Sequence, residues 1–440
     1  MTLKETLTTT KTRLANILSD INNALVAKGA IKVETFNDVP TAIENMWSGE
    51  GITSPPWLNT NSITDWRAFF YTPYSSENHS CRLDLLDYID TSGGEDFSCM
   101  FYNNGIITTV PQLDYSNGKK FYMMFYKCPN LLTVPQLDCN RGTDFTWMFY
   151  ECTKLTSVES IDCSSGVDFL GMFENCSNLV SVESIDTTSA TDLSQMFNNC
   201  SKLTDVNLTD TSNVTIFRVT FSGCSSLITA PQLDTSKGTS FYGMFRRCSK
   251  LTTVPLLDTS NGENFSNMFE GCSSLTTIPQ FNTNKGTSFG SMFSGCSSLI
   301  TAPQLDTSKG TSFSYMFSAC TNLTTVPELD TSSGTGFTSM FYNCPNLTTV
   351  KITTVSGDMS SNTFQYCTAL TDLTIGEGFA YSIYLSDSTN LTQESLHGMI
   401  ENLADLTGLT AKTFKVGSTN IAKIDEEHIA MLENKNWNYS

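Results

Sequence analysis

Cysteine is the residue type that could most readily do chemistry in this sequence, because fifteen are present. Ten recur at intervals of 24 residues and an eleventh follows after 23: Cys128, Cys152, Cys176, Cys200, Cys224, Cys248, Cys272, Cys296, Cys320, Cys344 and Cys367. No two cysteines have the two-residue separation of a zinc knuckle. We therefore interpret the column as small buried side chains, with no metal and no disulfide along it. Cys139 and Cys163 could approach closely enough to bond, and a reduced pair is the expectation.

A column of carboxylates recurs with the same interval. It comprises Asp90, Asp114, Asp138, Asp162, Asp186, Asp210, Asp234, Asp258, Asp306 and Asp330, with Asn282 in the ninth copy. Asp followed by Thr-Ser and then Gly is typical of a turn in which the carboxylate accepts from nearby backbone N–H groups. Calcium between adjacent turns is the alternative. Because Asn282 is tolerated and no second regular acidic column is apparent, the turn is favoured.

Residues for catalysis are sparse. The three histidines, His79, His397 and His428, are scattered over the two ends of the chain. No Gly-x-Ser-x-Gly elbow and no phosphate-cradling glycine-rich loop stands out. We therefore expect no enzyme activity and no cofactor.

Aromatic side chains form the candidate binding site. Five of them recur on the same segment of the first three copies, in positions expected to face outward: Tyr102, Tyr122, Tyr126, Trp147 and Tyr150. Exposed aromatics are enriched at protein and carbohydrate contacts. The alternative is ordinary packing of these rings on neighbouring copies.

A repeat of 24 residues must position all of these side chains. Eleven ungapped copies run from Asp90 to Thr353, with the consensus D-T-S-x-G-T-x-F-x-x-M-F-x-x-C-x-x-L-T-T-V-P-x-L. In one copy, apolar residues at i, i+3, i+4, i+7 and i+10 predict one face of a helical turn: Phe241, Met244, Phe245, Cys248 and Leu251. The β-prone segment that follows predicts a short strand ending near Val254. Stacked copies would then form a curved solenoid with one parallel sheet, right-handed by the crossover rule.

The pattern Phe-x-x-Met-Phe-x-x-Cys-x-x-Leu-Thr-Thr-Val-Pro resembles the BspA-like leucine-rich-repeat family of bacterial surface and adhesion proteins. The resemblance implies an α/β repeat fold, a right-handed leucine-rich-repeat-like solenoid of eleven strand and helical-turn repeats with capping rungs. Family members usually carry an export signal or lipid anchor. The sequence MTLKETLTTTKTRLANILSD lacks an apolar signal core, and so departs from that pattern.

The flanking segments define the predicted organisation. Residues 1–50 form a helical arm, 51–62 a linker, 63–89 an N-terminal cap rung, 90–353 the repeats, and 354–440 a degenerate rung with an α/β cap. Heptad-like apolar positions in the arm predict a docking or oligomerising helix: Leu7, Leu14, Ile17 and Ile21. An amphipathic helix packed on a neighbouring domain is the alternative. Trp66-x-x-Phe69-Phe70 marks the cap rung, 31 residues ahead of Phe97.

At the other end, Phe364, Cys367 and Leu370 continue the repeat pattern. Thr392 then opens a predicted helix, residues 413–416 alternate as a strand, and Asp425 starts a last helix that ends near Trp437. The run ENLADLTGLTAKTFKVGSTNIAKIDEEHIAMLENKNW resembles the ends of phage structural proteins and of surface proteins. The arm sequence KTRLANILSDINNALVAKG likewise resembles the head of phage virion and fibre proteins.

Charge narrows the class of partner. The formal net charge is −19 and the pI is near 4.5, which disfavours nucleic acid, and no stretch is apolar enough for membrane insertion. The leading hypothesis is a non-enzymatic bacteriophage virion protein, a fibre or decoration. Its arm would bind other virion proteins or form a homo-oligomer, and its solenoid would bind a host-surface glycan or protein. The alternatives are a BspA-like adhesin on a bacterial cell surface and a cytoplasmic interaction scaffold.

Overall fold

A computed structural model describes Thr60, 62–70, 89–353, Gly357, Met359 and 362–440. The predicted helical arm, with Leu7, Leu14, Ile17 and Ile21, lies outside the described residues. The chain divides into two compact units. The first takes Met1–Ala190 with Val206–Thr209, and the second takes Thr191–Asp205 with Asp210–Ser440.

Both units are β-solenoids of 24-residue rungs, which confirms the predicted fold class. Strands β1 to β4 form a four-stranded sheet in that order, and lie in the first unit apart from Asp205: Leu137–Asp138, Ser157–Asp162, Ser181–Ile185 and Asp205–Leu208. β2 and β3 pair in parallel with Val158 opposite Val182, an offset of one rung. In the second unit single parallel bridges replace strands in several rungs, such as Thr229 with Thr253. Strands β5 and β6 of that unit, Thr349–Lys351 and Asp372–Thr374, also pair in parallel.

The predicted helical turn is wrong: each rung carries a series of β-turns in its place. In the rung of Phe97, the N–H groups of Met100 and Tyr102 donate three residues back, to Phe97 and Cys99. The N–H groups of Phe97 and Cys99 instead donate to carbonyls of the next rung, at 2.9 and 2.8 Å. Cys99 and Asn103 have φ values of 57° and 56°, the left-handed conformation that the third residue of a type II turn requires.

Successive backbone N–H groups of this segment therefore alternate: one donates to a carbonyl of the same rung, and the next donates to a carbonyl of the following rung. Because no rung of the repeat contains a helix, helix-to-helix packing does not force the stack to curve, as had been expected from the predicted helical turns. It also explains how two consecutive residues, such as Met244 and Phe245, are both fully buried. A simple strand would place them on opposite faces.

The predicted core columns are confirmed. The Phe, Met, Cys and Leu positions are almost completely buried, including Phe245, Met244, Cys248 and Leu251. Phenylalanine rings stack face to face from rung to rung, with centroids 5.1 Å apart for Phe101 and Phe125, within the range of favourable aromatic pairs.

One consensus glycine is explained by this core. A Cβ added at Gly238 would lie 2.6 Å from Cζ of Phe241, the ring three residues further on. Real Cβ atoms do not approach other carbons so closely. A side chain at this position would therefore require the ring to move, although Val214 occupies it beside Phe217 and Ala190 occupies it where Leu193 replaces the ring.

The first described rung repeats the same pattern. The N–H groups of Trp66 and Phe70 donate to Asp96 and Met100 at 2.8 and 2.7 Å. Phe70 stacks on Phe101 with centroids 5.2 Å apart, and Trp66 is fully buried. Trp66 and Phe70 thus occupy the places of the two phenylalanines of later rungs.

The C-terminal part of the second unit contains three helices and a small sheet. The helices α1, α2 and α3 are Gln393–Asn402, Ser418–Ile421 and Glu426–Asn434. Strands β7, β8 and β9, which are Ile383–Tyr384, Lys412–Lys415 and Trp437–Tyr439, form one parallel sheet. Within the described residues, no helix combines the length and hydropathy needed to cross a bilayer.

Helix starts in this region were predicted correctly. Thr392 and Asp425 are the N-caps of α1 and α3, and each side chain accepts from the N–H three residues on. The end predicted for the last helix is wrong. It stops at Asn434, and Trp437 pairs with Lys412 in β9, so its apolar ring belongs to a strand.

Candidate binding surface

Three tyrosines of the first unit form a continuous column. Tyr102 stacks on Tyr126 with ring centroids 4.9 Å apart, and Tyr126 stacks on Tyr150 at 4.7 Å. The planes are within 9° of parallel, and each side chain is half-buried. These rings sit at the residue before the second left-handed position of each rung, where the side chain leaves the core.

Tyr122 and Trp147 extend the column sideways. Their rings are 6.3 Å apart and tilted by 55°. Trp147 has a positive φ of 52° and lies against Gly171 of the next rung, where an added Cβ would meet its Cδ1 at 2.5 Å. Gly171 therefore provides the space for this indole. We refer to Tyr102, Tyr122, Tyr126, Trp147 and Tyr150 together as the aromatic surface.

Charged groups border the aromatic surface. The Nζ of Lys127 lies 5.6 Å from the centroid of Tyr126 and 3.6 Å from Oε2 of Glu151. Burial, with Glu151 next in importance, raises the pKa of Tyr150 to about 12. Burial also raises the pKa of Tyr122. Both hydroxyls are therefore neutral at pH 7. That of Tyr150 already donates to the Glu151 carboxylate, whereas that of Tyr122 can donate to a partner.

The stacking determines which part of each ring a partner can reach. A ring separation below 5 Å leaves no room between successive tyrosines for another molecule. The exposed parts are the ring edges and the hydroxyl groups. Such a surface suits edge-on and hydrogen-bonded contacts, whereas a sugar would stack on a free ring face.

The cysteine column is a set of hydrogen-bond donors. All described cysteines are free, and the column members are buried. The thiol of Cys248 donates to the carbonyl of Phe221 in the preceding rung at 3.1 Å, and Cys128 does the same to Phe101 at 3.0 Å. Burial raises the pKa of Cys248 well above its ordinary value, so the thiol is protonated and unreactive.

Cys139 and Cys163 are also buried and free. They stand at a position that is threonine in most rungs. The thiol of Cys163 donates to the carbonyl of Asp186 at 3.2 Å, as the hydroxyl of Thr235 donates to Asp258 at 2.8 Å. Cys163 and most threonines of this column thus place a short donor toward the next rung, whereas the hydroxyls of Tyr115 and Thr307, in the same column, have no hydrogen-bond partner among the described residues.

The aspartate column caps turns, as predicted. Every aspartate of the column except Asp138 accepts from the N–H two residues on, for example from Ser236 to Asp234 at 2.9 Å. Asn282 accepts in the same way from Asn284. Hydrogen bonds from Ser236 lower the pKa of Asp234, so the carboxylate is ionised at neutral pH.

A second, shorter acidic column was missed from the sequence. Asp96, Asp144 and Asp168 precede the first phenylalanine of their rungs and lie in one line of parallel bridges with Lys120. Each accepts from an N–H two residues on. The interruption at Lys120 hid this column, which is again explained by turn geometry.

The histidines at the C-terminal end are not scattered. His397 of α1 and His428 of α3 stack with ring centroids 3.6 Å apart. They are 31 residues apart in sequence, so no local spacing could have revealed the contact. His79 lies outside the described residues.

The 24-residue rungs and the buried Phe, Met, Cys and Leu columns define the class of the protein, a leucine-rich-repeat-type solenoid. The family described as "Mycoplasma protein of unknown function, DUF285" matches residues 43–158, 119–233, 167–273, 191–303 and 264–372. These matches together cover about three quarters of the sequence, and the chain belongs to this family. No curated protein matches the sequence.

Several solved structures are similar to this chain. A leucine-rich repeat protein from Bacteroides ovatus is 14% identical with a TM-score of 0.40, over 78% of this chain and 86% of that one. A leucine rich cell surface protein from Faecalibacterium prausnitzii is 19% identical with a TM-score of 0.33, over 76% and 87%. A leucine-rich repeat protein from Eubacterium ventriosum is 18% identical with a TM-score of 0.31, over 69% and 85%. These values are too low for a function to be inferred from the neighbours.

Proposed function

We propose that this protein is a non-catalytic solenoid that binds another protein at a bacterial cell surface through its aromatic surface. The observation that carries the proposal is the stacked column of Tyr102, Tyr126 and Tyr150, bordered by Trp147. Tyrosine and tryptophan are the side chains most enriched among residues that dominate binding energy. Their positions on a repeating backbone keep the surface rigid, so little conformational entropy is lost on binding.

A protein partner is favoured over a glycan because the tyrosine faces are occupied by each other. The hydroxyl group of Tyr122 remains protonated and can donate to a backbone carbonyl of a partner, and the hydroxyl oxygen of Tyr150, which donates to Glu151, can accept. Lys127 and Glu151 provide a polar margin of both signs. A polar rim around an aromatic centre is the usual anatomy of a protein interface.

The cell-surface location is supported by the resemblance of the repeat to BspA-like surface proteins. The virion hypothesis depends on the resemblance of the two ends, and the comparisons lend it no support. The proposed aromatic surface would serve either setting. Electron microscopy of immunolabelled cells and particles distinguishes the two locations.

The binding proposal is tested by substituting Tyr126, Trp147 and Tyr150 with alanine together. Purified wild-type and variant proteins, fluorescently labelled, are incubated with a panel of animal and bacterial cells, and binding is measured by flow cytometry. We expect the triple variant to lose at least about tenfold in affinity on any cell that binds the wild type, since each such residue is worth about 1–2 kcal/mol or more.

The matched control is the variant Tyr342→Ala/Tyr366→Ala. These tyrosines lie in the second unit, with centroids 5.5 Å apart, outside the aromatic surface. Protease treatment of the cells should abolish binding, and enzymatic removal of glycans should not. Equal binding by the wild type and the triple variant would refute the proposed surface, and loss only after glycan removal would refute the protein partner.

A further inference from the structure

The contact between α1 and α3 brings together three side chains suited to a metal ion. His397 lies on α1, Asp425 is the N-cap of α3, and His428 lies in the first turn of α3. The two imidazole rings stack with an interplanar angle of 11°. Their side chains are only 16% and 11% exposed, so the pair is largely removed from water.

Two ring nitrogens converge on one carboxylate. Nδ1 of His428 lies 2.7 Å from Oδ1 of Asp425, and Nε2 of His397 lies 3.7 Å from Oδ2 of the same group. One ligand atom from each of the three residues lies within 4.8 Å of the others. Metal ligands in proteins are commonly arranged in this way, with imidazole and carboxylate groups around a shared centre.

An unsatisfied buried atom indicates that this arrangement is incomplete. Nε2 of His397 is buried and has no hydrogen-bond partner in the described part of the chain. A buried polar atom without a partner is costly, typically by about 1–3 kcal/mol. At 3.7 Å, Asp425 is too far away to satisfy it.

We propose that His397 Nε2, His428 Nδ1 and the Asp425 carboxylate bind one divalent zinc ion. With metal bonds of about 2.0–2.2 Å, ligand atoms of a tetrahedral site lie about 3.4 Å apart. The observed separations of 2.7 and 3.7 Å lie on either side of that value, so small side-chain movements form the site. The ion takes the place of the proton shared by His428 and Asp425.

The surroundings suit such a site. Nε2 of His428, the nitrogen that faces away from Asp425, is likewise buried and has no hydrogen-bond partner among the described residues. Oε1 of the exposed Glu401 lies 3.6 Å away, so a small movement of that side chain would form the carboxylate–histidine bond that commonly orients a metal-bound histidine. Asp425 is 45% exposed, which leaves the fourth position accessible to water. The ion would join α1 to α3 and so stabilise the C-terminal end of the chain.

The test uses the full-length protein, stripped with a chelator and titrated with Zn²⁺ by calorimetry and with Co²⁺ by absorption spectroscopy. We expect one ion per chain and a higher melting temperature with Zn²⁺. His397→Gln and His428→Gln should each weaken binding by about 100-fold, and Glu401→Gln by about tenfold. The controls His79→Gln and Glu426→Gln should bind as the wild type does.

Asp425→Asn is a second route to the same answer, because asparagine retains the helix cap while removing the charge. It should weaken zinc binding at least tenfold without unfolding α3, as monitored by circular dichroism. The proposal is overturned if the wild type binds less than one ion per chain, or if the His397→Gln/His428→Gln variant binds equally well. Intense near-ultraviolet charge-transfer bands with Co²⁺ would indicate thiolate ligands and would also overturn it.

Discussion

At the scale of single residues, different side-chain types fill the same hydrogen-bonding role in different rungs. Asn104 stands where later rungs have the column cysteine, and its side-chain amide donates to Phe70 at 3.1 Å. Cys128 donates to the equivalent carbonyl of Phe101. The same holds for the threonine column, in which Cys163 acts as Thr235 does. A short buried donor is the property that these residues share.

The first prediction concerns this buried donor. Thr235→Val keeps the shape of the side chain and removes the hydroxyl that donates to Asp258. Because Thr235 is 1% exposed, the free energy of unfolding should fall by about 1 kcal/mol, and Thr235→Cys should cost less. Urea denaturation measures both changes. Thr253→Val, at an exposed position, is the control, and equal losses at the two positions would show that the donor is unimportant.

Residue-scale predictions succeeded where a periodic pattern sufficed. The burial of Phe245, Met244 and Cys248 follows from their spacing, and the turn role of Asp234 follows from the residues after it. The contact of His397 with His428 could not be predicted. It depends on how two helices pack, and nothing in the local sequence of either helix encodes that geometry.

At the scale of the element, the unexpected finding is a run of β-turns in place of a helical turn. The spacing i, i+3, i+4 and i+7 is compatible with both, so the pattern of apolar residues could not decide between them. Glycines at the left-handed positions, such as Gly243 and Gly271, were the available signal. Helices rarely tolerate glycine at such intervals, because its conformational entropy disfavours helix interiors.

The second prediction concerns a strained left-handed position. Val219 has a φ of 47°, which is unusual for a β-branched residue. Asn267, two rungs later, has a φ of 59° at the equivalent place. Val219→Asn should stabilise its rung by about 1 kcal/mol, and Asn267→Val should destabilise its own by a similar amount, because asparagine tolerates this conformation.

Amide hydrogen exchange in the two rungs measures these local changes, since solenoid rungs can open separately. The reciprocal substitutions serve as controls for each other. Two shifts of the same sign would contradict the interpretation that backbone strain is the cause.

At the scale of the whole molecule, we predict that the arm at residues 1–50 is separate from the folded repeat. In the first described rung, the N–H groups of Trp66 and Phe70 already donate to Asp96 and Met100 of the next rung, as those of later rungs do. We therefore expect the repeat units to fold without the arm. The apolar positions Leu7, Leu14, Ile17 and Ile21 would then be available for docking or self-association.

The third prediction is that deletion of residues 1–50 leaves the melting temperature of the repeat units unchanged and abolishes self-association. Differential scanning calorimetry measures the first effect, and light scattering measures the second. Leu14→Asp/Ile21→Asp in the full-length chain is the matched variant and should also prevent self-association. An unfolded deletion variant would mean that the arm is part of the repeat core.

The alternation of hydrogen bonds within and between rungs has a consequence for the history of the gene. In the second unit, N–H groups of Phe241 and Phe245 donate to Asn264 and Met268, and those of Phe265 and Phe269 donate to Ser288 and Met292 in the same way. Each rung therefore donates to the following rung from the same N–H positions from which the preceding rung donates to it. Insertion or removal of 24 codons restores every such bond at the new junction. Unequal recombination between copies can thus lengthen or shorten the protein in whole rungs, so that repeat number can change between generations while the fold is kept.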